Sequence, residues 1–323
     1  MTERGRDLKL FLPVYLIVLA MFLFAGYRSE SFFTWGNMVN LFSRVTPLIL
    51  AGLAQTFVIL GGGIDLSLGS IISLTNVLAA SLPYVDKPAN MIMWATIPSL
   101  VGLLLGCING LIIAVRNFPP FIVTLATSSA YLGAAFLIME EPGGEISMDL
   151  IAIASGTIYG IPIPLILIII AVAAAHLFLT YTWTGLSIYA LGGSETLATH
   201  SGIRCRRIKF VTYALSGLLG GMAGTYISAW MFAGDPLVGE PYVMNSIAVA
   251  VIGGTSLVGG RGGVLGVIGG AYIFYLINNI LNLLAINPFY QYIAKGVVLI
   301  IALALSTPDL FARLGLGKRK AET

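Results

Sequence analysis

Apolar segments recur along the whole chain, and most of them are long enough to cross a lipid bilayer as a helix. Only 10% of the 323 residues are charged and 58% are hydrophobic, whereas soluble domains average about 25% charged residues. The pattern predicts an all-α polytopic membrane protein of about ten helices, with residues 1–323 forming one transmembrane domain. The ten segments lie near residues 11–27, 45–60, 67–83, 92–115, 118–138, 161–181, 211–232, 244–257, 264–285 and 290–306.

The distribution of basic residues predicts the orientation of the chain. If the N-terminus is inside, alternate loops place 13 Lys and Arg residues on the cytoplasmic side and only Arg28, Arg44 and Lys87 on the other. Because cytoplasmic loops carry an excess of Lys and Arg, we expect both termini in the cytoplasm. The remaining basic residue, Lys295, falls inside the tenth segment, where snorkelling to the interface and a functional role both explain it.

The sequence predicts no cleaved signal peptide, no disulfide or metal site and no soluble domain. Arg4 and Arg6 precede an apolar run as in a signal peptide, but no small-residue cleavage pattern follows, so we expect a retained first helix. Cys107 and Cys205 have neither disulfide-framework nor metal-ligand spacing, and we expect both to be reduced. The longest polar stretch, residues 182–210, is too short for an independent soluble domain.

Two apolar segments are short and end in glycine-rich motifs. Residues 45–60 run into Gly61-Gly62-Gly63-Ile64-Asp65, and residues 244–257 contain Gly253-Gly254. Interrupted helices of this kind indicate a transport site, because opened backbone survives in a membrane only where protein or water satisfies it. A tight loop between two helices explains each motif equally well. On the first interpretation the gating or hinge residues are Gly62, Gly63, Asp65, Gly253, Gly254 and Gly260, with Asp65 bracing its turn.

Glycines spaced four residues apart form ladders. One ladder joins Gly102, Gly106 and Gly110, and another runs through residues 262–270. Such spacing places a flat groove on one helix face, so that two backbones can approach closely. Tight packing is the default meaning, and sliding interfaces that permit alternating access are the alternative.

The centre of residues 182–210 has the sequence of a short helix. Ser194 suits an N-cap, Glu195 suits the positive end of the helix dipole, and Gly202 is placed to end the helix. A helix of two turns is marginal in water, so it must dock on something. The alternatives are helices of this chain, a cytoplasmic partner, or anionic lipid head groups that attract the basic residues 204–209.

Four motifs resemble those of bacterial ABC importer permeases of the ribose type. Residues 192–203, beginning Gly-Gly-Ser-Glu, are similar to the coupling loop of that family. Residues 62–67, Gly-Gly-Ile-Asp-Leu-Ser, look like its signature, while residues 119–125 and 251–263 look like its mid-chain and C-terminal glycine motifs. The chain is therefore similar, over about residues 30–305, to the binding-protein-dependent inner-membrane components that also include branched-chain amino-acid permeases.

The resemblance implies a type II-like permease of the bacterial inner membrane that pairs with a second permease subunit. It also implies a cytoplasmic ABC ATPase, which binds ATP and Mg, and a periplasmic binding protein that delivers a sugar or a related small polar solute. The chain has no Gly-x-x-x-x-Gly-Lys-Ser/Thr loop, so we expect no cofactor or metal and no enzyme activity in this chain. The ATPase-coupling residues implied are Gly193, Ser194, Glu195, Ala198, His200 and Gly202.

Three positions depart from the family pattern. Leu132 stands where the family usually has Arg, and Val243 and Asn245 stand where it often has acidic residues. These departures leave the solute open, and a pentose, a hexose, a sugar alcohol, a nucleoside or a signalling furanone all fit.

Neutral polar residues in the helices are the candidates for a translocation pathway, because release requires weak and transient hydrogen bonds. The binding protein is expected to dock outside, where residues 139–160 carry four acidic residues and no basic one. The pathway candidates are Gln55, Thr75, Asn76, Asn245, Ser246, Asn278 and Asn282, and hydrogen bonding between helices is the alternative role for each.

Two other classes of function make their own demands on the sequence. A secondary ion-coupled transporter or channel needs intramembrane carboxylates or broken-helix ion sites, and Asp65 is the one acid near the membrane core. An intramembrane enzyme needs a cluster of catalytic side chains, whereas His176 and His200 are isolated in the sequence.

Overall fold

The computed structural model describes residues 3–82, 88–116 and 118–284, together with residues 286–287, 289–290, 293, 296–297 and 300. Within these ranges the chain is mainly helical, and six helices are long and apolar enough to cross a membrane. The helices are α1 (Glu3–Arg28), α2 (Trp35–Leu60), α3 (Leu68–Ser81), α4 (Pro88–Arg116), α5 (Pro120–Ile138), α6 (Met148–Ser155), α7 (Ile163–Tyr181), α8 (Trp183–Gly193), α9 (Glu195–His200), α10 (Cys205–Met231), α11 (Glu240–Ile252) and α12 (Leu265–Leu283).

Nine of the ten predicted apolar segments correspond to helices in the described part of the chain. The tenth, residues 290–306, lies mostly outside the described residues, as does Lys295. The structure is therefore that of an all-α polytopic membrane protein.

The prediction of a short apolar segment at residues 45–60 was wrong, because α2 begins ten residues earlier at Trp35. Every residue from Val45 to Leu60 is buried, whereas the first turns of α2 carry polar residues such as Asn37 and Arg44. A hydropathy pattern detects the part of a helix that is buried on all sides and misses first turns that are amphipathic. The start of α10 at Cys205 rather than near residue 211 has the same cause, since its first turn is basic.

Helix α10 packs closely against α4 through glycines. A Cβ atom added to Gly102 would lie 2.5 Å from the carbonyl oxygen of Gly217, and one added to Gly106 would lie 2.3 Å from that of Tyr213. Real Cβ atoms do not approach so closely, so the two backbones are in direct contact. The packing role predicted for the first glycine ladder is confirmed.

The second glycine ladder does not lie on one helix. Gly262 precedes α12 in the preceding loop and has a φ of +129°, so it shares no helix face with Gly266 and Gly270. The other two glycines do pack: a Cβ on Gly253 would lie 2.6 Å from the Gly266 carbonyl carbon, and one on Gly270 would lie 2.3 Å from the Val249 oxygen. Helices α11 and α12 therefore meet through small residues.

The acidic segment 139–160 contains helix α6 and a small hairpin. Strands β1 (Thr157–Ile158) and β2 (Ile161–Pro162) pair antiparallel, and the turn places both Tyr159 and Gly160 at positive φ, as a two-residue hairpin turn of type I′ requires. The Tyr226 hydroxyl of α10 donates to the Ala154 carbonyl in α6 at 2.9 Å. This segment is thus an ordered cap over α10.

Candidate transport and coupling site

Asp65 lies in the turn between α2 and α3 and is fully buried. One carboxylate oxygen accepts hydrogen bonds from the Ser67 backbone N–H at 3.0 Å and from the Ser67 hydroxyl at 2.6 Å. The other accepts from the Ser216 hydroxyl of α10 at 2.8 Å. A buried carboxylate is costly unless its oxygens are bonded, and here both are. The prediction that Asp65 braces the glycine turn is confirmed.

The polar network extends from this turn to three further helices. Asn109 of α4 donates to the Ser67 hydroxyl at 2.7 Å, and Tyr131 of α5 donates to the Asn109 side-chain oxygen at 3.1 Å. With its amide oriented to pair donors with acceptors, the Gln55 side chain of α2 donates to the Asp65 backbone carbonyl and accepts from the Asp65 N–H, both at 3.2 Å. Side chains from α2, α4, α5 and α10 therefore hold one turn in place.

Helices α2 and α11 end in the same way. The N–H groups of Gly62 and Gly63 donate to carbonyls three and five residues earlier, and those of Gly254 and Thr255 repeat the pattern at the end of α11. Gly62 and Gly254 have φ values of +81° and +88°. This is the Schellman motif, whose left-handed residue is usually glycine because a Cβ is disfavoured there. Both glycine motifs are therefore helix ends followed by tight turns.

The two turns meet each other and the end of α8, in a region that we call the glycine junction (Leu60, Gly62, Gly192, Gly259 and Gly260). The Gly260 N–H donates to the Leu60 carbonyl at 3.0 Å. A Cβ on Gly192 would lie 1.8 Å from that same carbonyl oxygen and 2.6 Å from the Gly260 nitrogen. The end of α2, the end of α8 and the loop after α11 are thus in direct backbone contact, with no side chain between them.

The predicted short helix is present as α9, directly after α8. The Ser194 hydroxyl accepts from the Leu197 N–H at 3.3 Å as an N-cap, and Gly202 has a φ of +80° where the chain leaves the helix. Ala198 is buried, while Leu197 is 68% exposed. Both helix boundaries agree with the prediction, and α9 has an exposed apolar side chain, Leu197.

An ion pair joins α9 to α10. The Lys209 Nζ lies 2.6 Å from the Glu195 carboxylate, with the lysine side chain 17% exposed and the glutamate 50% exposed. Of the other predicted coupling residues, His200 and Gly202 are exposed, and nothing lies within 4 Å of a Cβ placed on Gly193. The residues on either side of α9 are therefore exposed, and a Cβ at Gly193 or Gly202 would meet no atom of the described part of the chain within 4 Å.

Two cavities lie along α2, one beside Arg44 and Leu48 in its first half and the other at its C-terminal end. The Arg44 cavity, of about 260 Å³, is lined by Arg44, Leu48, Pro241, Tyr242, Asn245, Phe274, Tyr275 and Asn278. The Tyr213 cavity, of about 250 Å³, is lined by Val58, Gly61, Gly62, Gly63, Ile113, Pro120, Leu191, Gly192, Ser194, Glu195, Lys209, Thr212, Tyr213 and Val258. Arg44 and Gly61 are about 25 Å apart along the helix, which approaches the ~30 Å thickness of a bilayer core.

The Arg44 cavity combines a charge, amides and aromatic rings. The Arg44 guanidinium lies 5.2 Å from the centre of the Trp230 ring, a cation–π distance. The Asn278 amide donates to the Phe274 carbonyl at 3.1 Å, and its buried oxygen has no hydrogen-bond partner in the described part of the chain. Such a set of groups suits a small polar molecule with hydroxyls.

The seven predicted pathway residues do not lie together. Asn245 and Asn278 line the Arg44 cavity. Asn76 is buried and bonds the Gly224 carbonyl and the Asp235 N–H, so it joins α3 to α10 and to the segment after it. Gln55, Thr75 and Ser246 are buried with hydrogen-bonding partners, and Asn282 is exposed. Their role in translocation stays a prediction.

The sequence analysis does not single out the tyrosines of the two cavities, Tyr213, Tyr242 and Tyr275. It treats Arg44 only as a charge on the outer side. Single tyrosines in apolar helices are ordinary packing residues, so no local signal distinguishes them. In the described ranges, no three His, Cys, Asp or Glu side chains come close enough to hold a metal ion.

Comparison with known proteins identifies the class. Residues 37–303 match the family described as branched-chain amino acid transport system / permease component. The chain belongs to this family of ABC importer permeases of the bacterial inner membrane.

Its relatives include several sugar permeases. Ribose import permease protein RbsC of Haemophilus influenzae is 35% identical over 293 residues, 89% of this chain and 90% of that protein. D-allose transport system permease protein AlsC of Escherichia coli is 33% identical over 90% of this chain and 89% of that protein. Galactose/methyl galactoside import permease protein MglC of Escherichia coli is 30% identical over 91% and 93%. No solved structure is significantly similar to the chain.

Proposed function

We propose that this chain is the membrane permease of an ATP-driven importer that brings a sugar or a related small polar solute into the bacterial cell. An external binding protein delivers the solute, and a separate ABC ATPase on the cytoplasmic side supplies the energy. The permease itself carries out no covalent chemistry.

The observation that carries this proposal is the attachment of α9 to the glycine junction. Helix α9 follows α8 directly, and Gly192 in the last turn of α8 is in contact with Leu60 at the end of α2 and with Gly260 in the loop after α11. A force applied to α9 by an ATPase is therefore transmitted to the turns after α2 and α11 without flexible side chains between them. The exposed Leu197 offers the apolar contact for such a partner.

The proposed solute class comes from the relatives and from the Arg44 cavity. The relatives are named as ribose, allose and galactose permeases. The cavity offers a guanidinium, two asparagine amides and tyrosine rings, which together bind hydroxyl groups and the apolar faces of sugar rings. We assign this cavity to the outer end of the pathway.

In this proposal the binding protein outside the membrane and the second permease subunit within it occupy separate surfaces of the chain. Glu140, Glu141, Glu145 and Asp149 are all exposed on the cap formed by residues 139–160, which suits docking of a binding protein. Helix α5 buries few of its residues within the chain, and Phe121 and Leu125 are more than half exposed. A second permease subunit or lipid covers this apolar face.

The decisive experiment is reconstitution. The full chain, the ABC ATPase and the secreted binding protein from neighbouring reading frames are placed in proteoliposomes, with labelled ribose, allose or galactose outside. We expect uptake that requires ATP and the binding protein. Uptake by the permease alone, driven by an imposed proton or sodium gradient, would instead establish the secondary transporter and overturn the proposal.

A further inference from the structure

The lining of the Arg44 cavity carries a positive charge that no carboxylate of the described residues balances. Arg44 is exposed, and its guanidinium stays protonated under physiological conditions. Neither Asp nor Glu lines the cavity. Glu240, which begins α11, is exposed and forms no ion pair with Arg44, since the single ion pair among the described residues joins Lys209 to Glu195. The cavity as a whole is therefore positively charged.

The position of Arg44 in α2 makes this charge costly. Arg44 lies about 13 Å along the helix from Trp35, and every residue from Val45 to Leu60 is buried. Charged side chains within a membrane segment face a cavity or the interior of the helix bundle, and they pair with other groups. Arg44 faces a cavity, and the pairing group has to come from the molecule that enters it.

The ring of Trp230 covers the guanidinium from one face. The central carbon of the guanidinium lies 5.2 Å from the centre of the ring. The N–H donors of a guanidinium point outward in its own plane, and two of them match the two oxygens of a carboxylate or a phosphate. A ring on one face leaves these donors able to bind an oxyanion.

The remaining lining suits a small hydroxylated molecule. Asn245 and Tyr275 are half-buried and supply an amide and a hydroxyl, which can both donate to and accept from hydroxyl groups. Leu48 and Phe274 supply apolar surface for a carbon skeleton. The volume of about 260 Å³ lies below the ~300–1000 Å³ of sites for drug-sized ligands, so the cavity admits a molecule of monosaccharide size and no oligosaccharide.

We propose that the Arg44 cavity binds a small hydroxylated molecule that carries an oxyanion group, a carboxylate or a phosphate, and that Arg44 selects for this charge. The proposal rests on the proposed function for the identity of the molecule, which is the imported solute. The solute is then a sugar acid or a sugar phosphate and not a neutral sugar. A phospholipid head group presents the same oxyanion chemistry, so the experiment distinguishes these two sources.

The binding test uses the purified full chain in micelles of octaethylene glycol monododecyl ether, a detergent that contains neither phosphate nor sugar. Saturation-transfer NMR compares D-galactose and D-ribose with their acids, D-galacturonate and D-ribonate, and with their phosphate esters. We expect a charged compound to bind at least about tenfold more tightly than its neutral parent, because a hydrogen bond to a charged group is stronger than one between neutral groups.

Variants of the cavity test whether Arg44 causes this preference. Arg44→Gln should abolish it, and Arg44→Lys should retain part of it, because lysine keeps the charge and loses the paired donors. Asn245→Asp leaves Arg44 in place and adds a carboxylate to the lining, so it should weaken binding of the charged compounds alone. Arg28→Gln is the matched control, since Arg28 is an exposed arginine at the end of α1, outside the cavity.

Three results of the binding test overturn the proposal. They are equal binding of charged and neutral compounds, a preference that survives Arg44→Gln, and absence of binding by every compound. Titration of phosphatidylglycerol into the micelles then tests the lipid. A charged sugar that stays bound supports the proposal, whereas its displacement from the wild-type chain, with no lipid bound by Arg44→Gln, assigns the cavity to the head group and overturns it.

The transport test separates this inference from the proposed function. Proteoliposomes with the ATPase and the binding protein receive the labelled charged compounds and their neutral parents in parallel. We expect ATP-dependent uptake of a charged compound, severalfold slower in Arg44→Gln and unchanged in Arg28→Gln. ATP-dependent uptake of neutral sugars alone, unaffected by Arg44→Gln, contradicts this inference only, whereas absence of ATP-dependent uptake of every compound contradicts the proposed function.

Discussion

The hydroxyl of Ser216, in α10, donates a hydrogen bond of 2.8 Å to the carboxylate of Asp65, which lies 151 positions earlier in the chain. This bond fixes the turn after α2 to α10, the helix that packs against α3 and α4 through its glycines. The glycine turn is thus held on one side by a buried polar network and on the other by direct backbone contact at the glycine junction.

Removal of the Asp65 carboxylate is expected to destabilise the protein. Asp65→Ala leaves the Ser216 and Ser67 donors buried without their acceptor, at about 1–3 kcal/mol for each group left unpaired. Asp65→Asn retains an acceptor oxygen and should cost less. Thermal unfolding in detergent measures both. Asp149→Ala, which removes an exposed carboxylate, serves as the control, and equal melting temperatures for the two alanine variants would show that the network contributes nothing.

Two adjacent glycines should respond differently to the same substitution. Gly192→Ala places a methyl group 1.8 Å from the Leu60 carbonyl oxygen and must displace backbone, whereas Gly193→Ala places it in open space. We expect the first to lower the melting temperature and the yield of folded protein, by more than ~2 kcal/mol in stability, and the second to leave both unchanged. A comparable loss in both variants contradicts the described glycine junction.

The ion pair between Glu195 and Lys209 is expected to orient α9 more than to stabilise the fold. An exposed pair contributes less than about 1 kcal/mol, so Glu195→Lys should hardly change thermal unfolding. It should reduce ATP-dependent uptake, because two like charges then separate α9 from α10. The exchange variant Glu195→Lys/Lys209→Glu restores the pair and should recover most of the uptake. Failure to recover assigns Glu195 a direct contact with the ATPase instead.

Two asparagines predicted for the pathway should separate into different roles. Both the side-chain nitrogen and the side-chain oxygen of Asn76 make hydrogen bonds, so Asn76→Leu should destabilise the fold by about 1–3 kcal/mol. The Asn278 oxygen has no partner among the described residues, so Asn278→Leu should leave thermal unfolding nearly unchanged while it lowers the uptake rate severalfold. Normal uptake by a well-folded Asn278→Leu protein removes the Arg44 cavity from the pathway.

Local signals made parts of this structure predictable. The start and end of α9 follow from Ser194 and Gly202, since capping chemistry acts over three or four residues. The bracing role of Asp65 was also foreseeable, because its neighbour Ser67 provides two of its three hydrogen bonds. The family followed from motifs that are short, ordered and specific.

Long-range pairings were beyond the reach of the sequence alone. Nothing near Ser216 or Asn109 marks either residue as a partner of the turn after α2, since only the packing of α4 and α10 brings them there. The Tyr213 cavity has the same origin, because its walls come from α2, α4, α8 and α10. A cavity forms where the side chains of several packed helices leave a gap, so the sequence of any one helix does not predict it.

The backbone contact between Gly102 of α4 and Gly217 of α10 leaves no depth for even one methyl group between these helices. A seam without side chains has no rotamers to rearrange and so offers no intermediate positions for one helix to slip past the other. We therefore expect α4 and α10 to move together as one rigid body. A conformational change that opens a path for a solute must then occur at other helix interfaces, where interdigitated side chains can change their packing partners.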